Sequence, residues 1–216
     1  MKITALQPQR RSSKRVSVFV DGEFLFGVSV DTVAAAGLRV GAEVDRADID
    51  RIAREEQRRE ALNYAFLLLS YKARTTVELD RRLARKGFSP DIIKPTIERL
   101  AELKMVDDAD FARRFAEDRV SIGHRGKRRV YSELLKRGVE RKQIDAAIGD
   151  APDETAGARE VAAKFRRQNS RLESAVLRRR LYGFLARRGF GPDTIRQIIG
   201  ETGTDAPEQA GGPIDT

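Results

Sequence analysis

Leucine and valine recur four residues apart in three stretches of the chain, and each run ends at a glycine followed by another apolar residue. Leu79, Leu83, Gly87 and Phe88 are echoed by Val130, Leu134, Gly138 and Val139, and again by Leu181, Leu185, Gly189 and Phe190. The glycines are evenly spaced, 51 residues apart (138 − 87 = 51; 189 − 138 = 51). Beyond each glycine the same register places Ile93, Ile144 and Ile195, then Ile97, Ile148 and Ile199. Six positions kept in three copies mark an internal repeat. Apolar residues four apart share a helix face, and glycine supplies the left-handed residue that closes a helix, so the unit reads helix, Gly turn, helix. Ser89 before Pro90 opens the second helix in copy one, and Pro192 does so in copy three. Two short helices cannot bury both apolar faces alone, so a third is expected upstream in each copy.

Upstream stripes answer that expectation. Ala61, Leu62, Ala65, Phe66 and Leu69 precede a capping box at Thr75-x-x-Glu78. Phe111, Ala112, Phe115 and Ala116 follow a cap at Asp107 or Asp108, and Ala158, Val161, Ala162 and Phe165 follow Pro152-Asp153. Asn169-Ser170 breaks the chain, and Ser170-x-x-Glu173 is expected to cap a basic helix running to Arg188. The start of the chain has a different period. Val16, Val18 and Val20 alternate, Asp21-Gly22 is a two-residue hairpin turn, and Phe24, Phe26, Val28 and Val30 alternate on the return. Ile3 to Leu6 reads as a short strand able to pair with this hairpin, and Gln7 to Lys14 as a polar, basic loop. Asp31 is expected to cap a short helix closed by Gly37, and Asp48 to cap another from Ile49.

The predicted architecture is mainly α: an elongated tandem array of three three-helix repeats, preceded by a small N-terminal β-hairpin region. The expected boundaries are 1–56 for the N-terminal region, then 57–105, 106–150 and 151–200 for the repeats. Residues 201–216 hold four acidic residues, no basic ones, three glycines and two prolines, and are expected to be disordered.

Charge separates copies that their cores make alike. Net charge is +9, which points to a polyanionic partner, either nucleic acid or an acidic protein surface. Residues 1–60 are nearly balanced, with 11 basic and 10 acidic side chains. Residues 113–142 carry 11 basic against 4 acidic, and residues 159–196 carry 11 against 3. These two strongly basic windows lie in copies two and three, although a solvated face of a charge-rich helix has the same composition. The chain has no Cys and one His, which removes disulfides, thiolate metal sites and most imidazole chemistry. No apolar run approaches a membrane span, and a cytoplasmic protein off the membrane is expected.

Catalytic patterns are absent. Gly123 to Lys127 lacks the spacing of a phosphate loop and the Ser or Thr after Lys, and no nucleophile elbow, zinc spacing or dinucleotide fingerprint occurs. Asp107-Asp108 is the one carboxylate pair with a metal-like look, but its place ahead of an apolar-periodic segment favours a helix cap. His124 reads as a loop donor. A non-enzymatic protein without cofactor or metal is expected.

The residues resemble the RecX family, regulatory proteins that act on the RecA recombinase. The resemblance is carried by Arg74-Thr75, Glu78-Leu79 and Lys86-Gly87-Phe88 in copy one. In copy two it rests on Val106-Asp107-Asp108, Phe111-Ala112, Arg119, Gly126, Glu133-Leu134 and Gly138-Val139. In copy three Leu181, Leu185 to Phe190 and Ile195 carry it, and the match runs from about residue 57 to 200. An extra Gly123 before Gly126 and the acidic tail depart from the pattern. The resemblance implies a monomer lying in the groove of the RecA filament on DNA, with weak contact to the DNA itself. It implies slower ATP turnover, strand exchange and co-protease activity, by bridging protomers or capping the growing end.

The candidate binding surface is Arg113, Arg114, Arg119, Arg125, Lys127, Arg128 and Arg129 in copy two, with Arg178, Arg179, Arg180, Arg187 and Arg188 in copy three. Arginine's planar fork grips carboxylate or phosphate through two bonds. Lys127, Arg128 and Arg129 are expected to be exposed. A direct DNA-binding protein remains the alternative, because Val130 to Ile148 reads as a helix-turn-helix. Its base-reading positions would be Glu140, Arg141, Lys142 and Gln143, and Glu140 opens that helix poorly for phosphate.

Overall fold

A computed structural model describes residues 1–9 and 12–201. Among them lie one three-stranded antiparallel sheet, in the order β1-β2-β3, and ten helices. The chain divides into two compact units, Met1–Val106 and Asp107–Thr216. No helix is long and apolar enough to cross a membrane among the described residues.

In the first unit β1 (Ile3–Gln9), β2 (Ser12–Val20) and β3 (Glu23–Ser29) form a meander. Asp21 and Gly22 both have positive φ, 51° and 90°, as the tight hairpin turn requires. Val16 pairs with Val28 and Val18 with Phe26, while Ile3, Val18, Val20 and Val28 turn one face toward Ile52. The segment Gln7 to Lys14, expected as a loop, is largely strand: Gln7 pairs with Ser17 and Pro8 with Val16. Pro8 is tolerated because β1 is an edge strand, where a missing N–H breaks no ladder.

Two caps differ from expectation. The helix α1 (Val30–Ala35) is capped by Ser29, whose hydroxyl accepts from Thr32 N, while Asp31 lies in the first turn. The helix α2 (Arg46–Tyr71) begins three residues earlier than expected, with Asp45 at the cap and Asp48 completing the capping box. It runs unbroken for 26 residues, so one helix both covers the sheet and opens repeat one. Its early buried positions, Ile49, Ile52 and Glu56, face the N-terminal region, and Ala61, Ala65 and Leu68 enter the cores of repeat one. With α3 (Thr76–Lys86) and α4 (Pro90–Glu102) it forms the first three-helix group. Thr75 caps α3 through Glu78 N at 3.1 Å. Ser89 holds the cap position of α4 without bonding a backbone amide; its hydroxyl serves Asp91 instead.

The second unit holds α5 (Asp108–Ser121), α6 (Lys127–Lys136) and α7 (Arg141–Asp150), then α8 (Thr155–Gln168), α9 (Ser174–Arg187) and α10 (Pro192–Gly200). Each group of three encloses its own core, the first around Ala112, Val130, Leu134 and Ile144, the second around Ala162, Leu181, Leu185 and Ile195. The helix α9 starts at Ser174, four residues after the expected Ser170 cap, with Glu173 at the cap position and no side-chain bond. Expected disorder at 201–216 falls outside the described residues except at Glu201, which follows α10 and grips Arg159 through two bonds of 2.7 and 3.0 Å.

The repeat is identical at its turn. Gly87, Gly138 and Gly189 have φ of 103°, 85° and 88°. Phe88, Val139 and Phe190 each donate their N–H back to the leucine five residues earlier, at 3.3, 3.2 and 3.3 Å. This is the closure in which the residue after the glycine packs back on the helix it ends.

Candidate partner-binding surface

The twelve predicted basic residues all belong to the second unit, and the structure sorts them by what already neutralises them. On α5, Arg113 and Arg114 share one carboxylate, Asp110, at 2.6 and 2.8 Å. The Arg113 hydrogen bond, reinforced by Arg114, holds that carboxyl below the usual carboxylate range. Arg119 lies over the Phe115 ring at 4.9 Å and faces Glu133 at 3.9 Å, and Arg129 binds the same Glu133 at 2.9 Å. These four cations share two carboxylates, so their charge is partly offset.

Lys127 is not the exposed cation that the sequence suggested. Its ammonium donates to the carbonyls of Ile148 at 3.0 Å and Ala151 at 2.8 Å, tying the start of α6 to the end of α7. Unsatisfied carbonyls at a helix C-terminus attract such a cation, and half-burial of the stem follows.

The remaining residues have no carboxylate in ion-pair range among the described residues. Arg178, Arg179, Arg180 and Arg187 are exposed on α9, which contains no acidic side chain at all. Arg188, just past its end, lies 5.2 Å over Phe184. Its guanidinium is held below the ordinary arginine range, first by burial and then by the like charge of Arg125. Arg125 is thus brought to repeat three from the loop between α5 and α6. Arg128 is exposed on α6.

Two grooves gather these side chains. One, between α8 and α9, is walled by Arg179, Arg180 and Arg187 with Phe165, Asn169 and Gly183. The other brings Arg128, Arg129 and Lys136 of α6 opposite Arg187 and Gly189. Arg187 belongs to both, so the exposed cations form one track along α9 that turns onto α6, where Glu133 also lines the groove and pairs with Arg129. The Lys136 contribution was missed in the sequence because nothing in its neighbours distinguishes it from a solvated lysine. Arg178 lines neither groove.

The other candidate chemistry resolves as local structure. Asp107 caps α5, accepting from Ala109 N at 2.9 Å and Asp110 N at 3.0 Å. His124 holds φ 45° in the α5–α6 loop and meets Glu160 at 3.1 Å through Nε2. Among the described residues no group of three or more His, Asp or Glu side chains is placed to hold a metal ion.

Comparison with known proteins gives this geometry a family. Residues 1–45 match the regulatory protein RecX N-terminal domain, and 61–100, 107–148 and 153–199 match the first, second and third three-helix domains of RecX. The regulatory protein RecX of Caldanaerobacter subterraneus is 31% identical over 205 residues, 94% of this chain and 100% of that protein. That of Bacillus subtilis is 28% identical over 214 residues, 96% of this chain and 81% of the other. The Lactobacillus johnsonii protein is 35% identical over 152 residues, 70% of this chain, and the match spans only 56% of that longer relative. A crystal structure of regulatory protein RecX superposes with a TM-score of 0.70 at 23% identity, covering 91% of this chain and 98% of that one. The structure of RecX from Lactobacillus salivarius gives 0.64 at 22% identity, over 68% and 97% of the two chains. Four consecutive domain matches in the family's order, together with a relative covered end to end, leave one assignment: the chain belongs to the RecX family of regulatory proteins.

Proposed function

We propose that this chain binds the RecA filament on DNA and restrains it, slowing ATP turnover, strand exchange and co-protease activity without performing a reaction of its own. The family name supports a regulatory role. The observation that carries the binding half of the proposal is the track of exposed cations, unpaired along α9 and continued by Arg128 and Lys136 on α6, which suits an acidic surface or a phosphate-lined groove.

The test is direct. The protein is added to RecA on single-stranded DNA at ratios well below one per recombinase, and ATP hydrolysis and strand exchange are followed. Both should fall, and rates unchanged at every such ratio would overturn the proposal. Binding to bare duplex should be weak and indifferent to sequence. A sequence preference with a steep loss of affinity in salt would instead make the chain a direct DNA-binding protein that uses α6, the Gly138 turn and α7.

A further inference from the structure

Of the two basic grooves, only the one between α6 and α9 is built from two repeats. Arg128 and Lys136 stand on one wall and Arg187 on the other, so its width depends on how repeat two joins repeat three. The joint is made largely of backbone. Gly126 N–H donates to the carbonyl of Arg188 at 3.0 Å, and Arg128 N–H to that of Gly189 at 3.1 Å.

Gly126 has φ −69° and ψ 146°, a conformation open to every residue type, so its own backbone does not call for glycine. Its neighbour does, because a Cβ at 126 would overlap the Gly189 carbonyl and the Phe190 nitrogen. Glu154 completes the joint. Buried, it accepts from Lys127 N at 2.5 Å with one carboxylate oxygen, and from Gly191 N and the Thr194 hydroxyl, both at 2.9 Å, with the other. One anion thereby satisfies the positive N-terminal ends of α6 and α10 together. Glu154 stands at the cap position of α8 but gives its own helix no side-chain bond, and Asp153 accepts from Thr155 N in its place. A carboxylate that leaves its local cap for two remote helices acts on their spacing.

We propose that Glu154 is a positioning residue which, with the Gly126–Gly189 contact, fixes the separation of Arg128 and Arg187 so that the groove offers its cations to the partner at one set spacing. This rests on the reading that these cations grip the partner, and the two can fail separately. The full chain lacks cysteine, so Ser132→Cys and Ala186→Cys, both exposed on this groove, accept spin labels without background. The labelled pair should give one narrow distance. Glu154→Ala and Gly126→Ala should each broaden it with helicity unchanged, and should raise the amount needed for half-inhibition of RecA ATPase roughly tenfold, as buried amides lose their acceptor. The broadened distance at unchanged helicity is the readout that a merely destabilised chain would not show. If Gly126→Ala does not fold, Glu154→Gln, which turns one acceptor into a donor facing an amide, serves in its place. A distance that stays narrow, or one that broadens while inhibition is unaltered, overturns the proposal. Full inhibition by Arg128→Ala with Arg187→Ala would overturn the reading of the surface, whatever the distances show.

Discussion

Gly138 closes α6 at φ 85°, a backbone state that costs an L-residue about 1–2 kcal/mol. Gly138→Val should lower stability by about that amount or more, with the β-branch adding strain, and urea unfolding of the full chain measures it. Glu201 makes a second test at this scale. The Arg159 fork holds its carboxyl down to about 2. A depressed folded value means that the pair's contribution is present above the ordinary glutamate range and is lost as pH falls from about 4.3 through the folded value. An NMR titration should place the Glu201 midpoint near 2 in the native chain, and Arg159→Ala should raise it, with Gln197 and Arg166 still holding it down in part. Single residues were legible in the sequence where their partners are local. The three closing glycines, the Thr75 cap and the Asp107 cap all act within five residues of themselves. Ser29 outcompeted Asp31 as a cap by two positions, which side-chain type alone does not decide. Glu154 was invisible, since its acceptors' partners lie 27, 37 and 40 residues away.

Among the elements, α2 shows why a clear pattern can be misread. Its first half buries Ile49, Ile52 and Glu56 against the N-terminal region, and its second half buries Ala61, Ala65 and Leu68 in repeat one. Two faces on one helix leave no single stripe, so the segment read as a short helix followed by a fresh one. The bond between helix and sheet is polar at its centre. Buried Glu56 accepts from Ser29 N at 3.0 Å and the Thr32 hydroxyl at 2.5 Å, and Arg15 reaches both Glu56 and Glu60. Glu56→Ala would strand those donors at a cost of about 1–3 kcal/mol. Hydrogen exchange should report the loss first in β3 and α1, and protection that remained there would show that apolar packing around Ile52 suffices. The repeats themselves were readable because each turn uses one chemistry, and because each core lies on residues four apart.

Across the whole molecule, charge and core follow different rules. The cores of the three repeats are nearly the same at matched positions, with Leu83, Leu134 and Leu185 all fully buried. The basic side chains are not equivalent, and composition alone did not separate them. Arg113 and Arg114 on α5 are paired with Asp110, whereas α9 has no acid to pair with. Arg179→Ala with Arg180→Ala should therefore weaken RecA inhibition more than Arg113→Ala with Arg114→Ala, although each pair removes the same formal charge. Equal losses in the ATPase assay would mean that net charge, not its placement, governs binding.

The joint at Gly126, Gly189 and Glu154 gives the array a direction. Repeat one matches repeat three through its turn, with Gly87-Phe88 for Gly189-Phe190 and Pro90 for Pro192, yet Ile92 stands where repeat three has Thr194. A chain in which repeat one was grafted into the third place would keep its folded core and lose both Glu154 and the Thr194 hydroxyl, and with them the clamp on α6. Modules that look interchangeable by their hydrophobic code therefore cannot be shuffled, and their order along the chain is itself inherited information.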